Sequence, residues 1–501
     1  MSESSSHHLK IVDLGIDSYH ENILFIRADS KICKSEGYVA LTRVVVHKNG
    51  THIIATLNVV HSDLLKDGEG GLSIEAMTRL QVKTGDSIRI SHLPPIDSLG
   101  YVRAKIFKKE LNETAFREII EDIVSGHYSS IEIAAFVTAC AGNNLSVDEI
   151  TFLTKAMIDV GSSIHWKEKM IFDKHCVGGL PGNRTTPIIV SIIAAAGLII
   201  PKTSSKAITS PAGTADTMET MTRVNFTTEE IHAIVEKENG CFTWGGRANL
   251  SPADDLLISV EKALDIDSEG QMVASVLSKK AAAGSTHLVI DIPVGPSAKV
   301  RTQEEALRLQ YYFKAVGQVL GFQLEVVISD GSQPVGRGIG PALEAMDVLA
   351  VLKNEPDAPS DLKERALALA AVLLRLSGQY VPGTELSVAK LLLENGAAYK
   401  KFISICETQG GFKVPQLAPF KFDMLSPKSG IVQRIDNRKL ARIAKLAGAP
   451  KSPSAGVLFF APLRKKVQAG ELLLSIYAES TGELEYAKDY LNTLNDLIII
   501  E

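Results

Sequence analysis

The sequence has few cysteines and no long hydrophobic run, and each shortage excludes a class of protein. The five cysteines are Cys33, Cys140, Cys176, Cys241 and Cys406. They are far apart, form no CxxC pair and have no metal-ligand pattern beside them, which argues against a disulfide framework or a structural zinc site and for a reducing, cytoplasmic compartment. The longest apolar run, 187–200, is shorter than the ~18 to 20 residues of a spanning helix. It predicts a buried helix and no membrane partner.

No charge of one sign dominates either. The chain carries 53 Lys and Arg against 58 Asp and Glu, a formal net charge of −5. Such a protein has no overall attraction for polyanions, so nucleic acid is not an expected partner and any anion must be caught by local geometry. With 45% hydrophobic and 22% charged residues in 501, the chain is typical of a globular protein of several domains.

The pattern of apolar residues predicts a multidomain α/β protein of four parts. Residues 1–105 contain short β-type segments between Gly, Asn and Asp turns, which indicates a small N-terminal β-rich domain. Residues 106–170 change to helical spacing and predict a helical domain, to which helices from later segments return. In 171–415 strands alternate with helices, as in an α/β domain, and 416–501 predict a β-rich C-terminal α/β domain.

Helix starts can be read from capping pairs in the helical part. Ser129 with Glu132, and Ser146 with Glu149, have the spacing of a capping box. Each pair therefore predicts the first turn of a helix.

The segment KHCVGGLPGNRTTP, residues 174–187, is the strongest candidate for a binding loop. It holds adjacent glycines, cationic side chains and hydroxyls directly after a short apolar strand. Thr186 followed by Pro187 predicts a helix N-cap and first helical residue. Backbone N–H groups at such a helix start, together with Lys174, predict a site for a small oxyanion. The alternative is a glycine turn with a threonine cap.

Two other anion-loop interpretations are weaker. A nucleoside-triphosphate loop needs Gly-Lys followed by Ser or Thr at its end, whereas here the lysine comes first. The segment GRGIG, 336–340, follows a strand-like stretch as a dinucleotide fingerprint does, but its spacing is GxGxG.

A second loop strengthens the phosphate hypothesis. KTSSKAITSPAGTADTMET, residues 202–220, gathers hydroxyl side chains around Lys206, and Asp216 with Glu219 has capping-box spacing for another helix. The helix that starts near 187 connects the two loops. They are therefore expected to close on one anion from opposite sides.

These two segments, together with SQPVGRGIGPALEA, resemble the signature regions of the thymidine and pyrimidine-nucleoside phosphorylase family. The resemblance runs from about Leu111 to the C-terminus, and the motifs occur in the same order. It implies a helical bundle facing an α/β domain across a cleft, a C-terminal α/β domain and a homodimer. It also implies phosphorolysis of a nucleoside to free base and pentose 1-phosphate, with inorganic phosphate as co-substrate and no cofactor or metal.

The resemblance also implies roles for individual residues. The phosphate-binding residues would be Lys174, Gly178, Gly179, Thr186, Ser204 and Thr214. His175 would lie near the base carbonyl, and Ser275 and Lys279, which an i, i+4 spacing places on one helix face, would bind the base. For Lys280, a solvated helix end is a fair alternative. Position 176, usually serine in the family, is Cys176, a weaker hydrogen-bond donor.

One departure leaves the substrate open. The family's base-binding arginine has no counterpart around Val260, and GGRANLSPADDLLISVEKALDID resembles the extended subgroup that includes AMP phosphorylase, as does the additional N-terminal domain. In that subgroup Asp267 would be the proton donor to the leaving base; the alternative is a turn residue in DIDSEG. The residues around the nucleotide would then be Ser205, Lys206, Ala207, Ile208, Thr209, Ser210, Ser275 and Lys299.

Two other functions remain open at this point. A phosphoribosyltransferase of the anthranilate type shares the architecture that the resemblance implies, and would need magnesium and a pyrophosphate-bearing donor. A non-catalytic binding module would bind nucleotide without turnover.

Overall fold

The structure is a computed structural model that describes residues 8–18, 21–207, 210–246, 250–266 and 268–501. The chain divides into two compact units. The first comprises the described residues up to Arg103 together with 121–133, and the second comprises 104–120 and the described residues from Ala134 to Glu501. Among the described residues, no helix is both long enough and apolar enough to cross a membrane.

The first unit and the helices at its boundaries contain, in chain order, β1 (His8–Asp13), β2 (Ile23–Arg27), α1 (Lys31–Glu36), β3 (Arg43–Lys48), β4 (Thr51–Val60), β5 (Glu69–Leu72), α2 (Ile74–Leu80), β6 (Ser87–His92), α3 (Leu99–Ile106), α4 (Glu113–Val124) and α5 (Ser130–Cys140). The rest of the second unit begins with α6 (Val147–Asp159), β7 (Phe172–Cys176), α7 (Thr185–Ala195), β8 (Ile200–Ser204), α8 (Thr214–Glu219), α9 (Thr228–Glu238), β9 (Gly240–Trp244), α10 (Pro252–Leu264), α11 (Glu269–Ala282), β10 (His287–Val294), α12 (Gln303–Val319) and β11 (Gln323–Asp330). It ends with β12 (Gly338–Ile339), α13 (Pro341–Leu352), α14 (Ser360–Leu376), α15 (Glu385–Glu394), α16 (Ala397–Thr408), β13 (Phe420–Leu425), β14 (Gly430–Ile435), α17 (Asn437–Leu446), β15 (Gly456–Phe459), β16 (Lys466–Val467), β17 (Leu472–Ala478), α18 (Thr481–Asn492) and β18 (Ile498–Ile500).

The first unit is built on a small closed barrel, which confirms the expected β-rich N-terminal part. Its strands follow the order β1-β5-β2-β4-β3-β6, and β6 pairs with β1 to close the ring. Alternate residues point inward, as period-2 strands require. The core contains Leu9, Ile11, Leu24, Val44 and Ile88. Closure leaves the barrel no unpaired edge.

The second unit contains two parallel sheets that carry the candidate site. One has the strand order β11-β10-β7, and the other pairs β8 with β9. Two antiparallel sheets, β12-β15-β17-β13 and β16-β14-β18, come from the C-terminal part and from the short strand β12. The carboxyl ends of parallel strands meet at one edge of a sheet, where α/β proteins place their ligands.

Burial explains why the central segments form these elements. β10 is buried at six consecutive positions, Leu288–Pro293, as expected of a parallel strand covered on both faces. α7 is buried at every position from Thr185 to Ala194, so an almost wholly apolar helix is stable there. The apolar run at 187–200 is therefore a buried helix as far as Ala195, as the sequence predicted, but its last residue, Ile200, begins β8 instead.

Three local predictions are tested by this geometry. The capping box of Ser146 and Glu149 is confirmed at the start of α6. The prediction of Thr186 as an N-cap with Pro187 first in the helix was wrong, because α7 begins one residue earlier, at Thr185. Proline is accepted at the third position because N–H groups of the first turn have no partner within the helix.

The start of α8 also differs from the prediction. The helix begins at Thr214, so Asp216 is its third residue and accepts a hydrogen bond from the backbone N–H of Gly213 at 2.8 Å. The pair of Asp216 and Glu219 therefore does not form the capping box. Asp216 reaches back to the residue before the helix instead.

Candidate active site

The first loop, residues 177–184, connects β7 to α7 and makes two close approaches to other segments. Gly178 and Gly179 both have positive φ, 95° and 79°. A Cβ on Gly179 would lie 2.4 Å from the backbone nitrogen of Lys299, so only glycine allows this approach. A Cβ on Gly182 would likewise lie 2.3 Å from the carbonyl oxygen of Val335. The loop is thus held by neighbours that a larger residue would displace.

Lys174 reaches the start of α7 from the neighbouring strand. Its side chain is buried, with 2% exposure, and Nζ donates to Thr185 Oγ1 at 2.9 Å. An ammonium group at the N-terminal turn of a buried helix, next to a glycine loop, is suited to an anion. Thr186, the adjacent residue, is also buried.

Behind Lys174 lies a buried charge cluster, which we define as Asp173, Lys202 and Lys280. Asp173 Oδ1 accepts from Lys202 Nζ at 2.9 Å and from the backbone N–H of Lys174 at 2.7 Å. Asp173 Oδ2 accepts from Lys280 Nζ at 2.6 Å. Burial opposes the charge of Asp173, but the two ammonium groups outweigh it and lower the pKa of this carboxyl below its usual value.

The cluster also binds the backbone of β7. β7 is an edge strand of its sheet, and the carbonyl of Lys174 accepts a hydrogen bond from Lys202 Nζ at 2.9 Å. Both backbone groups of Lys174 are thus bound by side chains of the cluster. The alternative of a solvated helix end does not hold for Lys280, because this residue is only 2% exposed. Burial lowers the pKa of Lys280 to about 7, and Asp173 opposes that shift.

The second loop, residues 205–213, connects β8 to α8 and is held by one carboxylate. Asp216 Oδ2 accepts from the backbone N–H groups of Ala207 at 2.6 Å and of Gly213 at 2.8 Å. This draws the two ends of the loop together. Lys206 pairs with Glu219 at 2.7 Å, and the Ser204 hydroxyl donates to the carbonyl of Thr243 at 3.2 Å. Predicted residues Ile208 and Thr209 lie outside the described residues.

Arg184 connects the two loops. It directly precedes α7 in the first loop, and its Nη1 donates to Thr214 Oγ1 at 2.9 Å while Nη2 donates to the carbonyl of Ala212 at 3.0 Å. Its Nε donates to Glu344 Oε2 at 2.7 Å. Burial raises the pKa of the Glu344 carboxyl to about 7, against the opposing effect of Arg184. The structure therefore brings together the two segments that the sequence suggested would close on one anion.

The candidate base-binding residues are also brought together. Lys279 Nζ donates to Ser275 Oγ at 3.1 Å and to Asp254 Oδ2 at 2.8 Å. Asp254 is 3% exposed at its side chain, and its Oδ1 is buried without a hydrogen-bond partner among the described residues. A buried carboxylate oxygen without a hydrogen bond is energetically costly. The Oδ1 atom of Asp254 is therefore suited to accept a hydrogen bond from a donor group of a ligand.

His175 and Cys176, at the end of β7, are uncharged groups in this setting. The pKa of the His175 imidazole is held well below its usual value by burial and by four ammonium groups, those of Lys280, Lys202, Lys279 and Lys174. The imidazole is therefore neutral near pH 7 and can donate a hydrogen bond from one ring nitrogen. Burial, and then the charge of Asp291, raise the pKa of the Cys176 thiol to about 12.

The remaining predicted residues are placed as follows. Ser205, Lys206, Ala207 and Ser210 lie on the second loop, and the backbone of Lys299 lies against Gly179. Asp267 lies outside the described residues. The glycine segment 336–340 is anchored on α13, where Asp347 Oδ2 accepts from the N–H groups of Arg337 and Gly338.

Four residues of the site were not singled out from the sequence: Asp173, Arg184, Lys202 and Asp254. Asp173 and Arg184 carried a usable signal, because each adjoins or lies within the candidate loop. Lys202 and Asp254 also lie in quoted segments, but they make their contacts with residues 29 and 25 positions away, respectively. Sequence spacing contains no signal for such pairs.

Three family models match successive parts of the chain. They describe a helical bundle domain of a glycosyl transferase family at residues 100–161 and the α/β domain of a glycosyl transferase family at 168–399. The third is the pyrimidine nucleoside phosphorylase C-terminal domain, at residues 431–497. Together they cover both parallel sheets and both candidate loops.

Similar curated proteins match the whole length of the chain. One from Legionella pneumophila (strain Paris) is 53% identical over 500 residues, with 100% of this chain and 97% of the relative covered. One from Hahella chejuensis is 51% identical over 501 residues, covering 100% and 99%. Both carry the name "Putative thymidine phosphorylase".

A solved structure shares the fold of part of the chain. The crystal structure of anthranilate phosphoribosyltransferase from Thermus thermophilus aligns with a TM-score of 0.53 and 18% identity, covering 62% of this chain and 98% of that one. At this identity the match shows the fold alone.

Proposed function

Because the chain belongs to the family of thymidine and pyrimidine-nucleoside phosphorylases, we propose that it catalyses the phosphorolysis of a pyrimidine nucleoside. The bond between C1′ and the base nitrogen breaks, an oxygen of inorganic phosphate forms a bond to C1′, and the base leaves with a proton. The products are free base and pentose 1-phosphate. The sequence resemblance implied the same reaction.

The observation that carries this proposal is the contact between the two loops. The ammonium group of Lys174 lies at the start of α7, and Arg184 joins the first loop to Thr214 at the start of α8. A phosphate between these segments would meet an ammonium group, backbone N–H groups and hydroxyl donors. The proposed phosphate ligands are Lys174, Gly178, Gly179, Thr186, Ser204 and Thr214.

The mechanism needs no covalent nucleophile on the protein. Phosphate held close to C1′ stabilises the positive charge that develops on the sugar and then captures it, so catalysis rests on position and electrostatics. His175, being neutral, donates a hydrogen bond to a base carbonyl as negative charge grows there. Lys279 and Ser275 bind the base from α11, and Asp254 fixes Lys279.

The proposal is tested by replacing Lys174 with methionine and measuring phosphate-dependent release of free base. Loss of the ammonium group should raise the apparent KM for phosphate or abolish turnover. The matched control is Lys237→Met at an exposed position of α9, which should behave as the wild type. Turnover by Lys174→Met with an unchanged KM for phosphate would refute the loop assignment. Nucleotide binding without any base release by the wild type would favour a non-catalytic module instead.

A second candidate is phosphorolysis of a nucleoside 5′-monophosphate, giving base and ribose 1,5-bisphosphate. It is favoured by Lys299, whose backbone lies against Gly179, because a lysine there is near the proposed phosphate loop. Asp267 would then be the proton donor to the leaving base. A panel of nucleosides and their 5′-phosphates, assayed for free base, separates the two candidates. Retention of activity in a chelator would argue against a magnesium-dependent phosphoribosyltransferase.

Further expectations from the sequence belong to this proposal. We propose that the protein acts as a homodimer in the cytoplasm, with inorganic phosphate as co-substrate and no cofactor. Light scattering on the purified protein measures the assembly, and dialysis against a chelator before assay tests the independence from metal.

A further inference from the structure

The side chain of Arg184 contacts three separate segments of the chain. Its guanidinium group contacts Glu344 from α13, Thr214 from α8 and the carbonyl of Ala212 in the second loop. The Nη2 atom also lies 2.6 Å from Glu344 Oε2. Only 12% of the Arg184 side chain is exposed, so its charge is shielded from solvent and its contacts are strong.

Glu344, on α13, fixes the guanidinium group of Arg184. Its side chain is 2% exposed, and its Oε1 accepts from the backbone N–H of Gly340 at 3.2 Å. A buried carboxylate needs both a countercharge and hydrogen bonds, and Arg184 supplies the countercharge. The two side chains therefore hold each other in one geometry, which anchors both loops to α13.

The contact with Thr214 also sets the direction of a hydroxyl donor. Because Thr214 Oγ1 accepts from Arg184 Nη1, the threonine proton can point to another acceptor. Thr214 is one of the proposed phosphate ligands. An anion beside Thr214 would accept a hydrogen bond from the threonine hydroxyl. The guanidinium charge would also attract this anion at longer range.

We propose that Arg184 is a positioning residue for phosphate: it holds the second loop against the first and orients the hydroxyl of Thr214 toward the bound anion. Lysine cannot replace it, because a point charge on a flexible stem does not span three acceptors in separate segments. This inference rests on the proposed phosphorolysis. The test measures the binding of inorganic phosphate directly. The inference about Arg184 can therefore fail while the wild-type protein still releases base.

The test compares Arg184→Ala and Arg184→Lys with the wild type by steady-state kinetics and by calorimetric titration with phosphate. Both variants should raise the KM and the Kd for phosphate at least about ten-fold, the effect of losing one charge-assisted hydrogen bond. The KM for the nucleoside should change less than about two-fold. Millimolar guanidinium or methylguanidinium should restore phosphate binding to Arg184→Ala, whereas tetramethylammonium, a cation without N–H donors, should not.

The matched control is Arg308→Ala. Arg308 forms a similar ion pair with Glu269, at 2.7 and 2.6 Å, between α12 and α11. Its loss should leave the KM for phosphate unchanged, and added guanidinium should have no effect. The proposal is overturned if folded Arg184→Ala binds phosphate within two-fold of the wild type, or is not rescued by guanidinium. If Arg184→Ala fails to fold, Arg184→Lys decides alone, and a wild-type KM for phosphate in that variant overturns the proposal.

Discussion

Replacing Asp173 with asparagine should be among the most destabilising single changes near the site. Asp173 is fully buried, and its carboxylate is the countercharge for both Lys202 and Lys280. The substitution keeps the shape but leaves the buried Lys202 ammonium group without its partner charge, and it removes the charge that keeps Lys280 protonated. Breaking a buried ion pair in this way costs about 3 to 5 kcal/mol, so the free energy of unfolding should fall by about that amount.

Urea titration followed by tryptophan fluorescence measures this loss. The two tryptophans of the chain, Trp166 and Trp244, both lie in the second unit, so their signal follows the unit that contains Asp173. The control is Lys206→Met, which breaks an exposed pair with Glu219 and should cost only about 0 to 1 kcal/mol. If Asp173→Asn costs no more than this control, the cluster does not stabilise the fold as we infer.

The same carboxylate should contribute to the pH dependence of stability. Its pKa is lowered in the folded protein, so its stabilisation is present above the unfolded pKa of about 3.9 and is lost as the pH falls through the folded value. Asp173→Asn should lack this part of the acid-induced loss. The measurement is the free energy of unfolding as a function of pH. If this free energy falls below pH 4 as steeply in the variant as in the wild type, the assignment of a charged Asp173 is contradicted.

Further predictions concern the first loop and the base site. Cys176→Ser supplies a stronger hydrogen-bond donor, so the KM for phosphate should fall about two- to ten-fold in steady-state assays; a raised KM would count against its place near the anion. Because the pKa of the Cys176 thiol is raised to about 12, iodoacetamide at pH 8 should spare it in the native protein and alkylate it in urea, as peptide mass mapping would show. Gly179→Ala should weaken phosphate binding far more than Gly178→Ala, since both glycines have positive φ but only Gly179 would meet the Lys299 backbone; equal effects in calorimetry would refute the importance of that approach. Lys279→Met should raise the KM for the nucleoside at least about ten-fold with the KM for phosphate unchanged, and a change in the phosphate KM alone would reverse the assignment.

The sequence predicted the parts of the site that depend on local spacing. A strand at the start of the first segment, the buried helix after it and the shared face of Ser275 and Lys279 all follow from apolar patterning and i, i+4 geometry, although the strand extends through Lys174 to Cys176. The small β-rich part at the N-terminus was also predicted, from its turns and short apolar segments. Local patterns are enough where the determining contacts are near in sequence.

Contacts between distant segments were not predictable in this way. Lys280 has the sequence pattern of a charged residue near a helix end, yet it is buried against Asp173, 107 positions away. The first residue of α7 was misplaced because Thr185 has a partner, Lys174, that no capping rule includes. In both places the contact that sequence spacing does not reveal joins a lysine to a residue of another element.

The ion pair of Arg184 and Glu344 spans 160 positions of the chain. A ribosome adding about 5 to 20 residues per second needs about 8 to 32 s to make that stretch. During this interval the nascent protein already has its first loop but lacks the carboxylate that fixes it. The nascent protein should therefore become able to bind phosphate only late in translation, after α13 has left the exit tunnel.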